Sequence, residues 1–231
     1  ATLRDCQVLD NTAFFSGGGV MYSTVTDSEL RGNASTSSSG GGGGGANQST
    51  LTGCTISNNT SAGLGGGSSG GTLVDCLLSG NESVSAGGGP YGGTLTRCSL
   101  TGNRAPLSAG GGSYQSTLIA STISGNSALQ GGGVSVGTLR NCVLSGNRST
   151  GNGGGAYNSQ LTNCTLVGNS SVNPESGSGS YIGSMKNSIA VGNTNALGTV
   201  INFTSTTVSY SCTSPASGVG RSRSAARWAA S

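Results

Sequence analysis

Histidine is absent from the 231 residues, charged side chains make up only 7% and aromatic ones 4%. Without histidine, the chain lacks the usual zinc partner of cysteine and the side chain best suited to moving protons near neutral pH. No Cys-x-x-Cys pair occurs among the seven cysteines, so neither a metal site nor a cofactor is expected. Carboxylates are as scarce: Asp5, Asp10, Asp27, Asp75, Glu29, Glu82 and Glu175 are the whole supply. The formal charge of +3 reflects Arg221, Arg223 and Arg227 near the C-terminus; the other seven basic residues balance the seven acidic ones. A neutral body offers no electrostatic footprint for nucleic acid. No stretch approaches the roughly 18 apolar residues that a membrane-spanning helix needs. No signal peptide opens the chain, which starts inside a repeat at Ala1-Thr2-Leu3, so any export signal is expected to have been removed or to lie outside this sequence.

Glycine, by contrast, supplies 45 residues. Glycine at that level usually means a flexible linker, but here it is periodic. The unit is Thr-Leu-x-x-Cys-x-(Ile/Leu/Val)-x-Gly-Asn, and its cysteine column reads Cys6, Ser28, Cys54, Cys76, Cys98, Ser121, Cys142, Cys164, Ser188 and Cys212, at steps of 21 to 26 residues. Three positions earlier stand Leu3, Val25, Leu51, Leu73, Leu95, Leu118, Leu139, Leu161 and Met185; two positions later, Val8, Leu30, Ile56, Leu78, Leu100, Ile123, Leu144, Leu166 and Ala190. Five positions later come nine asparagines: Asn11, Asn33, Asn59, Asn81, Asn103, Asn126, Asn147, Asn169 and Asn193. A Gly-Gly-Gly run precedes the Thr-Leu pair in most coils, and length varies between the asparagine and that run, most visibly at 34–42 and 170–178.

A helical solenoid repeat needs about 33 residues or more, and glycine costs about 1 kcal/mol at each interior helix position. Segments such as Cys54-Thr55-Ile56-Ser57 alternate as half-buried strands do. The expectation is therefore an all-β, right-handed parallel β-helix of about ten coils over residues 1–214, with three short strands and three bends in each coil. Residues 215–231 read as a basic Ser/Ala/Arg tail, irregular or a docking segment. Parallel coils about 4.8 Å apart place like residues on like. The leucine and isoleucine columns should fill the interior, and Cys54, Cys76, Cys98, Cys142 and Cys164 should form a buried ladder of free thiols, since stacked parallel positions are farther apart than disulfide geometry allows. Asn33, Asn81, Asn147 and Asn169 begin Asn-x-Ser sequons, but a stacked asparagine ladder that satisfies corner backbone groups explains the column better.

Three surface features carry functional readings. Tyr91, Tyr114, Tyr157 and Tyr181 follow the glycine runs, and could stack on sugar rings or on one another. Thr50, Thr72, Thr94, Thr117 and Thr138 form a column, but an ice-binding face needs a Thr-x-Thr grid, which is read only at Thr50/Thr52 and Thr94/Thr96. Asp5, Asp27 and Asp75 share a column, where like charge could raise a pKa, yet no basic partner is evident from the spacing. A glycosidase needs two carboxylates at a defined separation, and the supply is thin; a polysaccharide-binding or polysaccharide-degrading β-helix enzyme is kept as the alternative reading and no catalytic residue is assigned.

The run Thr138-Leu139-Arg140-Asn141-Cys142-Val143-Leu144-Ser145-Gly146-Asn147, followed by Gly153-Gly154-Gly155-Ala156-Tyr157, resembles the polymorphic outer-membrane protein repeat of bacterial surface-exposed and autotransported β-helices. The resemblance covers residues 1 to about 220. It implies an extracellular or cell-surface, non-catalytic passenger or adhesin-like rod. The chain departs from the family in having Gly-Gly-Gly where Gly-Gly-Ala is frequent, and aliphatic residues where phenylalanine is. The segment from Asn187 to Thr213 looks like the last coils of such proteins, but leads into Arg221-Ser222-Arg223-Ser224-Ala225-Ala226-Arg227-Trp228 in place of the family's usual continuation. Open coil ends invite pairing, so end-to-end association into filaments is also expected, alongside surface glycan as the external partner. Size-exclusion chromatography and negative-stain imaging check the filament expectation: a particle that stays strictly monomeric at high concentration rejects it.

Overall fold

The computed structural model describes residues 1–38 and 41–214; the tail expected at 215–231 lies outside the described residues. No helix occurs among them. The strands form a parallel β-helix with one 16-stranded, one 10-stranded and one 9-stranded wall. Every pairing between named strands is parallel, and each joins equivalent positions of successive coils, as in Leu51↔Leu73↔Leu95 and Ile56↔Leu78↔Leu100. An isolated antiparallel bridge, Thr194–Val200, sits in a local turn. Ten coils at about 4.8 Å give a rod of roughly 48 Å.

The coil that begins at Ala46 shows the path. Its strands are Ala46–Asn47, Thr50–Thr52, Thr55–Ser57 and Thr60–Ser61. Between them the chain turns at Gln48 (φ 47°), Gly53 (φ 64°), Asn58 (φ 53°) and Gly65 (φ 64°). The coil thus has four left-handed corners, not three bends. The extra corner lies inside the first wall, where hydrogen bonding continues across it; in Ala156–Thr162 it is Asn158 (φ 47°) within one continuous strand.

The interior is lined by the expected aliphatic columns. Leu51, Leu73, Leu95, Leu118 and Leu139 face in from the first wall, and Ile56, Leu78, Leu100, Ile123 and Leu144 from the second, all fully buried. Each contributes about 1.5–3 kcal/mol relative to an exposed side chain. The third wall points small residues inward, among them Ser35, Ser61, Ser83, Ala105, Ala128 and Ser149, so the cross-section narrows there. Ser83 Oγ donates to the carbonyl of Gly63 at 2.8 Å and sits 2.9 Å from that of Ala86, tying the wall to the irregular segment that follows it. Length variation is absorbed just beyond this wall: register shifts between Ala105 and Ala109.

The asparagines form a continuous ladder, and from Asn33 to Asn193 each side-chain amide uses both its donors and accepts two bonds. Asn103 Oδ1 accepts from the backbone N–H of Asn81 at 3.0 Å and from Asn81 Nδ2 at 2.9 Å. Asn103 Nδ2 donates to the Leu78 carbonyl at 2.9 Å and to Asn126 Oδ1 at 3.0 Å. The sequons at Asn33, Asn81, Asn147 and Asn169 lie inside this ladder and are fully buried. Its last described rung is Asn202, whose Oδ1 accepts from Asn193 Nδ2 at 2.9 Å although the residue stands outside the asparagine column. The third glycine of each run makes room for the ladder: a Cβ on Gly155 would meet Asn169 Cγ at 3.1 Å and the Gly179 carbonyl oxygen at 2.6 Å.

Asn103→Ala leaves the Asn81 backbone N–H and one Asn81 Nδ2 hydrogen buried without acceptors, at about 1–3 kcal/mol each, and removes one bond from the Leu78 carbonyl, so a loss of at least about 2 kcal/mol is expected. The hydroxyl of Ser113 is buried without a hydrogen-bond partner, so Ser113→Ala should be neutral or stabilising. Urea unfolding of both variants checks the pair of expectations; an Asn103→Ala midpoint equal to wild type would refute the ladder's energetic role.

Candidate functional site

The four tyrosines lie on the first wall, one residue before the corner that Gln48 makes in the coil described above. Their column, read through strand register, is Met21, Asn47, Ser69, Tyr91, Tyr114, Ser135, Tyr157, Tyr181, Thr204. Tyr91 and Tyr114 stack with ring centroids 5.7 Å apart at 10°, and Tyr157 and Tyr181 at 5.9 Å and 11°. Offset parallel rings of this kind add about 0.5–1.5 kcal/mol beyond area burial. Ser135 separates the pairs; it is buried and its hydroxyl has no hydrogen-bond partner. Each pair therefore turns its inner ring faces on itself and leaves its outer faces and phenolic rims at the half-exposed surface. Flat apolar faces edged by hydroxyls suit the C–H faces and hydroxyls of a sugar ring.

The carboxylate column has a backbone cause. Asp5, Asp27, Gly53, Asp75, Arg97, Ala120, Asn141, Asn163 and Asn187 all have positive φ, and aspartate and asparagine are among the few side chains that visit this region readily. Gly53 stands between Asp27 and Asp75, so the second and third carboxylates of the column are not neighbours. Asp75 does have a basic partner, which the spacing did not reveal. Arg97 Nε and Nη2 donate to its two oxygens, each at 2.8 Å, on the exposed corner. That hydrogen-bonded guanidinium holds the Asp75 carboxyl below its usual range. Glu29 pairs with Arg31 at 3.0 Å, and Glu82 lies 3.8 Å from Arg104.

The cysteines are free; Cys54, Cys76, Cys98, Cys142 and Cys164 are buried, Cys6 is half-buried and Cys212 exposed. They do more than fill space. Each buried thiol faces the carbonyl two residues before it, as Cys76 Sγ faces Val74 O at 3.2 Å. The serines in the column do the same, Ser121 Oγ donating to Ile119 O at 2.9 Å while accepting the backbone N–H of Cys98 at 3.1 Å. The column thus selects a small side chain with a donor at a tight corner. The neighbouring thiols of Cys54 and Cys98, together with burial, push the Cys76 thiol up. Among the described residues no group of three or more histidines, cysteines or carboxylates could hold a metal ion, and no helix is long and apolar enough to cross a membrane.

These features define the chain as a β-solenoid of the parallel β-helix kind. No family model and no curated protein matches it. Among solved structures it is similar to two of QnrB1, a plasmid-mediated fluoroquinolone resistance protein, at 12% and 13% identity over 91% of this chain and 84% and 85% of theirs, with TM-scores of 0.34 and 0.31. It is also similar to a TibC-catalysed, hyper-glycosylated TibA fragment, at 15% identity over 94% of this chain and 95% of the fragment, with a TM-score of 0.25.

Two measurements check the site chemistry. In native protein a thiol reagent should modify Cys212 first and Cys6 more slowly, with the five buried thiols reacting only on unfolding; early labelling of Cys76 would contradict its burial. Asp75 contributes stability above the ordinary carboxylate pKa, and that contribution is lost as pH falls through its lowered value. An NMR titration should show Asp75 returning to the ordinary range in Arg97→Ala.

Proposed function

We propose that the chain is a non-catalytic, adhesin-like rod of an extracellular bacterial surface, akin to the polymorphic outer-membrane protein repeat, whose stacked tyrosine pairs bind surface glycan. The observation that carries this reading is the pairing itself. Two tyrosine pairs sit half-exposed on one face, held in parallel register by a backbone whose coils are locked together by the asparagine ladder. A platform held rigid before binding loses little conformational entropy on binding. The non-catalytic part is supported by the use the fold makes of its carboxylates. Asp5, Asp27 and Asp75 serve as left-handed corners, and Asp75 is held by Arg97 in an ion pair.

A broad glycan array tests the reading. Wild type should bind a subset of glycans, and the double variant Tyr91→Ala/Tyr114→Ala should lose about tenfold or more in affinity, equivalent to about 1.4 kcal/mol. Silence of wild type across the array rejects glycan binding. Release of lyase or hydrolase products from acidic polysaccharides would establish the enzyme reading in its place.

A further inference from the structure

The first wall carries a second outward surface, on the other side of the corner made by Gln48. Each three-residue strand there buries its central residue and turns the two flanking ones outward. On five consecutive coils the outward pairs are Thr24 and Thr26, Thr50 and Thr52, Thr72 and Val74, Thr94 and Thr96, and Thr117 and Ile119, in unbroken parallel register. Strand register thus adds Thr24/Thr26 to the two Thr-x-Thr pairs read from sequence. It also shows that the two remaining companion positions keep the β-branched shape. Thr2 and Thr138 prolong the first rank to seven threonines in line.

Four properties of this surface bear on what it fits. It repeats in two directions, at about 4.8 Å between coils and about 6.7 Å along a strand. Its side chains are β-branched and hold few rotamers, on a backbone held in register by parallel strand pairing and packed over the buried Val25, Leu51, Leu73, Leu95 and Leu118. No hydrogen bond within the described residues engages the hydroxyl of any of these threonines; the chain's side-chain donors lie elsewhere, as at Thr101 and Thr206. Finally, the five coils place no charge and no aromatic ring on the face; Asp27, Asp75 and Arg97 lie at the corner beside it.

We propose that this face binds the surface of an ice crystal. The two ranks repeat at spacings close to those of water oxygens on the prism faces of hexagonal ice. Threonine methyls exclude mobile water between the ranks, while the unengaged hydroxyls hydrogen-bond the molecules that remain, so ordered water joins the face to the lattice. A protein partner would present aperiodic chemistry to a surface made of one repeated motif. A sugar polymer would be expected to find aromatic platforms, which stand on the neighbouring facet. The inference is independent of glycan binding by the tyrosines.

The experiment is ice shaping and inhibition of ice recrystallisation by the purified chain, with partition into a slowly growing ice hemisphere. Wild type should facet the crystals and enter the ice. Thr72→Lys, at the centre of the face, should lower recrystallisation inhibition about tenfold or more, while Thr101→Lys on the second wall should leave it unchanged. Thr94→Ser keeps the hydroxyl, removes one methyl and leaves the core untouched; it should weaken activity with no change in circular dichroism, and decides the matter if the lysine variant fails to fold. Exclusion of wild type from ice, or equal activity of Thr72→Lys and Thr101→Lys where both fold, or of Thr94→Ser and wild type, overturns the proposal.

Discussion

The rod depends on the geometry by which one asparagine amide bonds to the next coil. An asparagine side chain offers two donors and two acceptor sites, and in Asn103 all four are used between coils. Serine in that position would lack one donor, and glutamine would displace the amide by a methylene. The bond also sets conditions elsewhere in the coil. The amide reaches the backbone of the glycine run, which is why a Cβ at Gly133 would stand 3.1 Å from Asn147 Nδ2. Asparagine and the third glycine are therefore two halves of one requirement, and their shared register follows from contact. Burying the amides is tolerable because none is left unsatisfied.

Parallel stacking explains what the sequence made legible. Wherever the fold asks for one side chain in every coil, the requirement is written once per repeat, as with Leu51, Leu73 and Leu95 or Asn81, Asn103 and Asn126. Requirements met by several residue types were harder to see. The corner column reads Asp5, Gly53, Arg97, Ala120 and Asn141, and its common property is a positive φ, which no shared chemistry announces. The aspartates in it share that positive φ, a conformational property that the residue type alone does not announce. The small inward residues of the third wall alternate between serine and alanine and so show no hydrophobic period. Asn202 escaped because it enters the ladder from a glycine position, across a local turn in which Asn195 N–H bonds the Thr199 carbonyl. The Asp75–Arg97 pair was hidden for a simpler reason: two positions 22 residues apart are adjacent only once coils stack in register.

The candidate surfaces were legible to different degrees. Tyrosine recurrence was visible, yet which rings stack is decided by the single serine at position 135, which divides the column into two pairs. The threonine face was half visible. Its first rank is a plain column, but the companion rank mixes threonine with valine and isoleucine, and a reading that looks for identity misses a constraint that acts on shape. Thr, Val and Ile share the branched Cβ that suits an outward strand position, so Val74 and Ile119 continue the surface even though they break the motif.

Both surfaces belong to the first wall, and the corner between them keeps them separate. That corner is filled by residues as different as Gln48, Gly92, Gln115 and Asn158, all at positive φ. Its backbone turns the chain whatever the side chain, so the tyrosine facet and the threonine facet face different directions on one stack of coils. A solenoid fixes what lies inward, since the ladder and the aliphatic columns admit few replacements. Outward residues meet solvent and their own column mates, so each facet can repeat its own chemistry without disturbing the core. One residue per coil then becomes a line, and two become a lattice. The broken tyrosine column presents discrete platforms, suited to a ligand that is recognised ring by ring. The unbroken first rank of threonines and its β-branched companion rank present a repeat, suited to a ligand that is itself periodic.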